Sequence, residues 1–151
     1  MTERARAPGG KPKSARRRSR ELALQMIYGW LVNPADAETI QREGRLDEDF
    51  ARADAALFDR IIGGVVAGAD PLRARLAVYL DRPVGELSPV EHAILLIAAQ
   101  ELAAHPETPY KVIINEAIDL AKIFGGTDGH KYVNGVLDRL AAELRPGEVK
   151  R

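Results

Sequence analysis

An all-α fold of six or seven helices, arranged as two packed three-helix subdomains, is what the sequence predicts, on three observations. Apolar residues recur at helical spacing through most of the chain, and cap or stop residues stand at Ser14, Ser88, Thr108 and Gly125. The β-branched runs are short and lie inside helical periodicity, so no strand pattern survives. Helices with one apolar stripe bury it against one another, which closes such a chain as layers of helix on helix.

Taken in order, residues 1–13 form a basic arm rich in proline, glycine and small residues. It has too little apolar surface to offset the entropy of ordering, so disorder is expected. Ser14 then caps a helix that runs through Arg16, Arg17, Arg18 and Arg20 into Ala23, Met26, Ile27, Trp30 and Leu31, and Asn33-Pro34 stops it. From Asp36 to Asp59, eight acidic residues and three basic ones read as a short helix with an exposed acidic connection. Leu57, Phe58, Ile61, Ile62, Val65 and Ala69 mark a buried helix, interrupted or kinked at Asp70-Pro71 and continued by Leu72, Leu76, Tyr79 and Leu80. Gly63-Gly64 inside it costs roughly 1 kcal/mol per glycine, and close helix packing is the expected compensation.

Ser88-Pro89-Val90-Glu91 is a capping box with proline in the first turn. Behind it, Ala93 to Ala99 is apolar all round, which predicts a central helix enclosed by the others. Glu101 breaks this pattern on the stripe of Val90, Ile94 and Ile97, where a carboxylate is costly unless it meets water or a partner. A solvated last turn is the plain expectation. Thr108 as cap, Pro109 at the first helical position and Gly125 as left-handed stop frame the next helix. Its inner stripe is Tyr110, Ile113, Ile114, Ala117, Leu120, Ala121 and Phe124, and Lys111, Asn115, Asp119 and Lys122 face outward. After a glycine-rich loop from Gly125 to Gly129, the apolar set from Tyr132 to Leu144 completes a helical hairpin. The subdomains are expected at about 14–82 and 83–146, with a tail at 147–151.

The 151 residues, 46% hydrophobic and 29% charged, suffice for one core. No cysteine is present, which excludes disulfides, thiolate zinc sites and a thiol nucleophile. No segment approaches the roughly 18 uninterrupted apolar residues of a membrane span, and a cytoplasmic location is expected. The formal net charge of zero hides an asymmetry: residues 1–20 carry eight basic residues against one acidic, and the remainder 14 against 21. Such an arm fits nucleic acid or a solubilising tail equally well on charge alone. The −7 body fits a basic protein partner.

Catalytic constellations are missing. His92, His105 and His130 are scattered, with no metal-ligand spacing, and the glycine-rich loop joins two helices instead of following a strand, which removes a nucleotide-loop reading. No enzyme, cofactor or metal is expected. What remains is the basic helix itself. Arg17, Glu21 and Tyr28 lie within about 40° of each other at 3.6 residues per turn, so a phenol ring continues the stripe that the arginines begin. Guanidinium groups beside an aromatic ring suit single-stranded RNA; the bland reading makes Tyr28 a core residue.

Two stretches carry a family resemblance. PYKVIINEAIDLAKIFG followed by HKYVNGVLD resembles the C-terminal signature of the bacterial transcription antitermination factor family NusB, and ARRRSRELALQMIYGW, Ala15 to Trp30, resembles its N-terminal arginine-rich helix. The resemblance spans about residues 14–146 and implies an RNA-binding adaptor. Such an adaptor binds boxA-type RNA of ribosomal RNA operon transcripts together with the ribosomal protein NusE, and helps RNA polymerase resist termination. It further implies RNA contacts at Arg16, Arg17, Arg18, Arg20, Tyr28, Lys131 and Tyr132, with Glu101 and Asp128 as readers of base edges. The other reading is a stand-alone helical protein-interaction module related to the NusB-like domain of RNA cytosine methyltransferases, whose catalysis needs an α/β domain and a cysteine that are absent from this sequence. The start and stop of the chain favour the antitermination factor. Monomer and homodimer both stay open.

Overall fold

The computed structural model describes residues 13–126 and 128–150, so the expected disorder of the arm lies, apart from Lys13, outside the described residues. The described residues form seven helices and no strand: α1 (Ala15–Val32), α2 (Ala37–Gly44), α3 (Ala55–Ala77), α4 (Pro89–Ala104), α5 (Tyr110–Phe124), α6 (Gly129–Leu144) and the single turn α7 (Pro146–Val149). Short 3-10 turns at Glu48–Arg52 and Val84–Glu86 fill the connections. The expected subdomain boundary near residue 82 falls in the connection between α3 and α4.

Because every face of α4 is apolar, it can only sit in the middle, and residues Ala93 to Ala99 are all buried. Helices α1 and α3 pack on one side of it and α5 and α6 on the other, and one continuous apolar core runs through both halves. Within that core Phe58 stands edge-on to Phe50, with ring centroids 5.5 Å apart. Gly44 lies beneath the Phe58 ring, where a Cβ would come within 2.3 Å of it.

Two of the four helix-end signals are realised as read. Ser14 Oγ accepts from Arg17 N at 3.0 Å, and Ser88 Oγ accepts from Glu91 N at 3.2 Å. Thr108 differs: Pro109 occupies the cap position of α5, and the buried Thr108 hydroxyl instead accepts from Arg16 Nη2 at 3.2 Å. Gly125 also differs, having extended backbone with φ −89° and ψ −179° rather than a left-handed stop. Glycine is required there because a Cβ would stand 2.6 Å from the Ala121 carbonyl oxygen.

Helix α3 runs through Pro71 and breaks earlier, at Gly68, with φ −112° and ψ 17°. The reason is mechanical: proline offers no N–H to the carbonyl four residues back, at Ala67, and its ring pushes on that carbonyl, so the distortion falls one turn upstream. Glycine absorbs it most readily. The expected close packing at Gly63-Gly64 is met at Gly64, where a Cβ would come within 2.1 Å of the Gln100 amide, whereas Gly63 has only an ordinary contact with Gln41.

The segment expected as a tail begins with α7, and this turn joins two helix ends. Arg145 Nε donates to Leu102 O at 2.8 Å, Nη1 to Thr108 O at 3.1 Å, and Nη2 to Glu101 O at 3.2 Å and His105 O at 2.9 Å. One guanidinium thus ties the end of α4 to the turn before α5, supplying Leu102 O with its donor and adding a second to Glu101 O, which already accepts from His105 N. Glu148, paired with Arg145 at 2.5 Å, accepts from Tyr110 N at 3.1 Å and so caps the start of α5.

His105, fully buried at the end of α4, has its pKa lowered by burial and then by the Arg60 charge, and burial and Arg73 lower His92 likewise. A depressed folded-state value means that the unfolded chain takes up the proton first. The stabilising contribution is therefore complete above the ordinary histidine value of about 6.5 and is lost as pH falls through the folded values. Urea midpoints should decline from pH 7 to pH 5, and the decline should flatten in a His92→Gln/His105→Gln variant; an equally steep decline there would assign it to other groups.

Candidate nucleic-acid interface

The capped start of α1 places four arginines within its first two turns, and helical geometry sends them to different surroundings. Arg20 is 3% exposed and faces inward. Its Nε and Nη2 donate to the two oxygens of Glu101 at 2.7 and 2.8 Å, and Nη1 donates to Glu116 at 3.3 Å. Glu101, on the expected apolar stripe of α4, is 1% exposed. Its expected solvated turn is therefore corrected: the carboxylate faces a guanidinium inside the protein. Burial opposes the charge of Arg20, but the hydrogen bond and charge of Glu101 outweigh it and raise its pKa.

Arg17 lies between α1 and α5, where Glu116 and Asp119 both accept from its guanidinium. The hydrogen bond to Glu116, reinforced by Asp119, raises its pKa against partial burial. About a third of its side chain faces solvent. Arg18 is mostly covered and approaches Asp49 at 3.7 Å. Arg16 is the most accessible of the four, with Thr108 and a loose 3.6 Å pairing to Asp54. Tyr28, 43% exposed, is not the core residue of the bland reading, and its hydroxyl has no hydrogen-bond partner among the described residues.

The later hairpin carries the rest of the expected set. Asp128 and Lys131 pair at 3.5 Å, both about three-quarters exposed. The half-buried Tyr132 accepts from Asp81 N at 3.3 Å, and the Arg82 guanidinium stacks 4.6 Å from its ring centroid. Burial is the main cause that raises the Tyr132 pKa.

The expected residues therefore divide into an accessible set, Arg16, Arg17, Tyr28, Asp128, Lys131 and Tyr132, and an inward set, Arg18, Arg20 and Glu101. Sequence reasoning missed Glu116 and Arg82. Glu116 could have been found one turn before Asp119 on the outward stripe of α5, whereas nothing in the sequence tied Arg82 to a tyrosine 50 positions on. Among the described residues no group of three histidine or acidic side chains could hold a metal ion, and no helix is long and apolar enough to cross a membrane.

An all-α protein whose first helix offers guanidinium groups at one end and an exposed phenol at the other is built as a binding module. The NusB family model matches residues 17–142, and the chain belongs to that family. It is 54% identical to the transcription antitermination protein NusB of Methylobacillus flagellatus over 151 residues, covering all of this chain and 98% of that protein. It is 56% identical to the protein of the same name from Bordetella pertussis over 142 residues, covering 91% of this chain and 92% of that one. The solved structure of T. maritima NusB superposes with a TM-score of 0.80 at 29% identity, covering 93% of this chain and all of that one.

Proposed function

We propose that this chain is a cytoplasmic RNA-binding antitermination factor. It binds boxA-type RNA of ribosomal RNA operon transcripts together with the ribosomal protein NusE, and so helps RNA polymerase resist termination. The names of its relatives support the antitermination role. The observation that carries RNA binding is the accessible guanidinium edge of α1, Arg16 and Arg17, with the exposed Tyr28 farther along the same helix. Phosphates would meet the arginines and an unstacked base would meet the phenol. Lys131, Tyr132 and Asp128 extend the contacts, the carboxylate as an acceptor for base amino groups. Arg18, Arg20 and Glu101 act from inside by fixing the helix that presents the others. The subdomains at 14–82 and 83–146 belong to the same reading. A basic partner such as NusE suits the acidic body, and its binding and RNA binding should be reciprocally coupled.

The pairing of Arg17 supplies a sharp test, because RNA must compete with Glu116 and Asp119 for its guanidinium. In fluorescence-anisotropy titrations with boxA-type RNA, Asp119→Asn should tighten binding by roughly 3-fold to 10-fold as one competitor loses its charge. Glu38→Gln, which removes an exposed carboxylate on α2, should have a much smaller effect. Arg17→Ala should weaken binding to matched and scrambled RNA alike, by about tenfold, and shallow the salt slope by roughly one contact. Unchanged affinity and slope in Arg17→Ala would move the RNA site away from α1. Titrations with and without NusE complete the test: equal affinities in both would remove the coupled adaptor.

A further inference from the structure

Glu21 is the one acidic residue of α1. At 3.6 residues per turn it lies within about 20° of Tyr28 and Val32 around the helix, and those two side chains are 43% and 70% exposed. Glu21 shares their outward face, yet it is only 4% exposed. What covers it therefore lies on the outside of the bundle. The described part of that cover is Lys13, whose Nζ donates to Glu21 Oε1 at 2.8 Å.

We propose that Glu21 is a positioning residue for the basic arm: it pins Lys13, and with it the root of the arm, to the flank of α1 between Arg17 and Tyr28. The pin depends on the geometry of this pair, and its use depends on the RNA-binding reading above.

The neighbours of Glu21 leave it to this task. Arg17 and Arg18 stand four and three residues before it, the spacings at which helical side chains pair. Both turn elsewhere, Arg17 to Glu116 and Asp119 on α5 and Arg18 to Asp49. Among the described residues Glu21 instead pairs with a cation from before the cap residue Ser14. Side chains on a helix tilt toward its N-terminus, so the carboxylate reaches back along α1 to meet the ammonium.

Burial gives the pair its weight. An exposed lysine and carboxylate hold each other loosely, because water solvates and salt screens both. A carboxylate withdrawn from water and deprived of its cation is left uncompensated. Lys13 is therefore held more firmly than a surface lysine, and the chain before it departs from a fixed point. The pair also sets the charge of the stripe. Arg17, Glu21 and Tyr28 share one side of α1, where a bare carboxylate would repel a phosphate passing from the guanidinium to the ring. Lys13 cancels that charge at its source.

The sequence has no cysteine, so Gly10→Cys gives a single attachment point for a spin label in the isotope-labelled full chain. Three residues from Lys13, the labelled Cα stays within roughly 10 Å of the Lys13 Cα. The amide signals of Glu21 and Gln25 should broaden. The broadening should fall in Lys13→Ala and Glu21→Gln and persist in Lys13→Arg, which keeps a cation in place; circular dichroism melts confirm that each variant folds. On boxA-type RNA, Lys13→Ala bares Glu21 and should weaken binding by about tenfold. Lys13→Ala/Glu21→Gln removes both charges and should regain most of that loss. Equal broadening in Glu21→Gln and the parent chain overturns the pin. The positioning role is overturned by a Lys13→Ala variant that binds as the parent does. It is overturned too by a double variant as weak as Lys13→Ala, since Lys13 would then meet RNA on its own account. Broadening that follows the pair as expected, in a parent chain that binds no boxA-type RNA, would leave the pin standing and remove the boxA reading.

Discussion

Replacing Arg145 by alanine should cost this protein about 3–5 kcal/mol of folding stability, a large share of what a domain of this size possesses. The guanidinium is 9% exposed and donates to the carbonyls of Glu101, Leu102, His105 and Thr108. Glu101 O and His105 O keep the His105 and Thr108 amides, so Leu102 O and Thr108 O are the carbonyls left without a donor, each at a cost of about 1–3 kcal/mol. Glu148 would also lose the cation beside it, weakening its cap on Tyr110 N. At roughly 2–4 °C per kcal/mol for 150–250 residues, the thermal midpoint should fall by about 10–15 °C. Arg145→Lys should recover only a minor part, because one ammonium cannot span the donor positions of a planar fork. Circular dichroism melts of the three proteins decide the matter. A loss under about 1 kcal/mol in Arg145→Ala would mean that the carbonyls find water without it.

Sequence reasoning succeeded where the physics is local. Ser14 and Ser88 cap the helices that follow them, because a cap needs only the next three residues. Helix α4 lies in the centre because its apolarity on all faces admits no other place. It failed where a partner is distant in the chain. Arg145 reaches residues 37 to 44 positions away, Thr108 is drawn to Arg16 92 positions back, and neither link has a sequence signature. The kink lies at Gly68, one turn before the expected Asp70-Pro71, because the strain of the proline acts on the carbonyl four residues before it.

At the candidate site the split among the arginines was partly legible. Arg20, Ala23, Ile27 and Trp30 share one arc of α1, so periodicity alone placed Arg20 on the inner side, and Glu101 on the α4 stripe was the matching charge. Two opposite charges on two apolar stripes make a pair more readily than two solvent-facing exceptions.

The Arg20–Glu101 pair should accordingly be critical to stability and silent toward RNA. Both side chains are almost fully buried and share two hydrogen bonds, of 2.7 and 2.8 Å. Removing one partner strands the other charge in the interior, so Glu101→Met and Arg20→Met should each cost about 3–5 kcal/mol. Glu116, at 3.3 Å from Arg20, softens the first of these but offers nothing to Glu101 in the second. Replacing both by methionine removes the charges together and restores apolar packing, so the double variant should lose less than the sum of the single losses by about 1–3 kcal/mol. That double variant also separates a structural role from RNA contact. If Arg20 serves only to hold α1 against α4, boxA-type RNA should bind the folded double variant within about twofold of the parent, with the same slope of affinity against salt. A phosphate contact at Arg20 would instead shallow the slope by roughly one unit. Denaturant titrations at pH 7 and anisotropy at three salt concentrations measure both quantities on one set of proteins. Additive stability losses would show that the two charges act independently, and a shallower slope would return Arg20 to the RNA-binding surface.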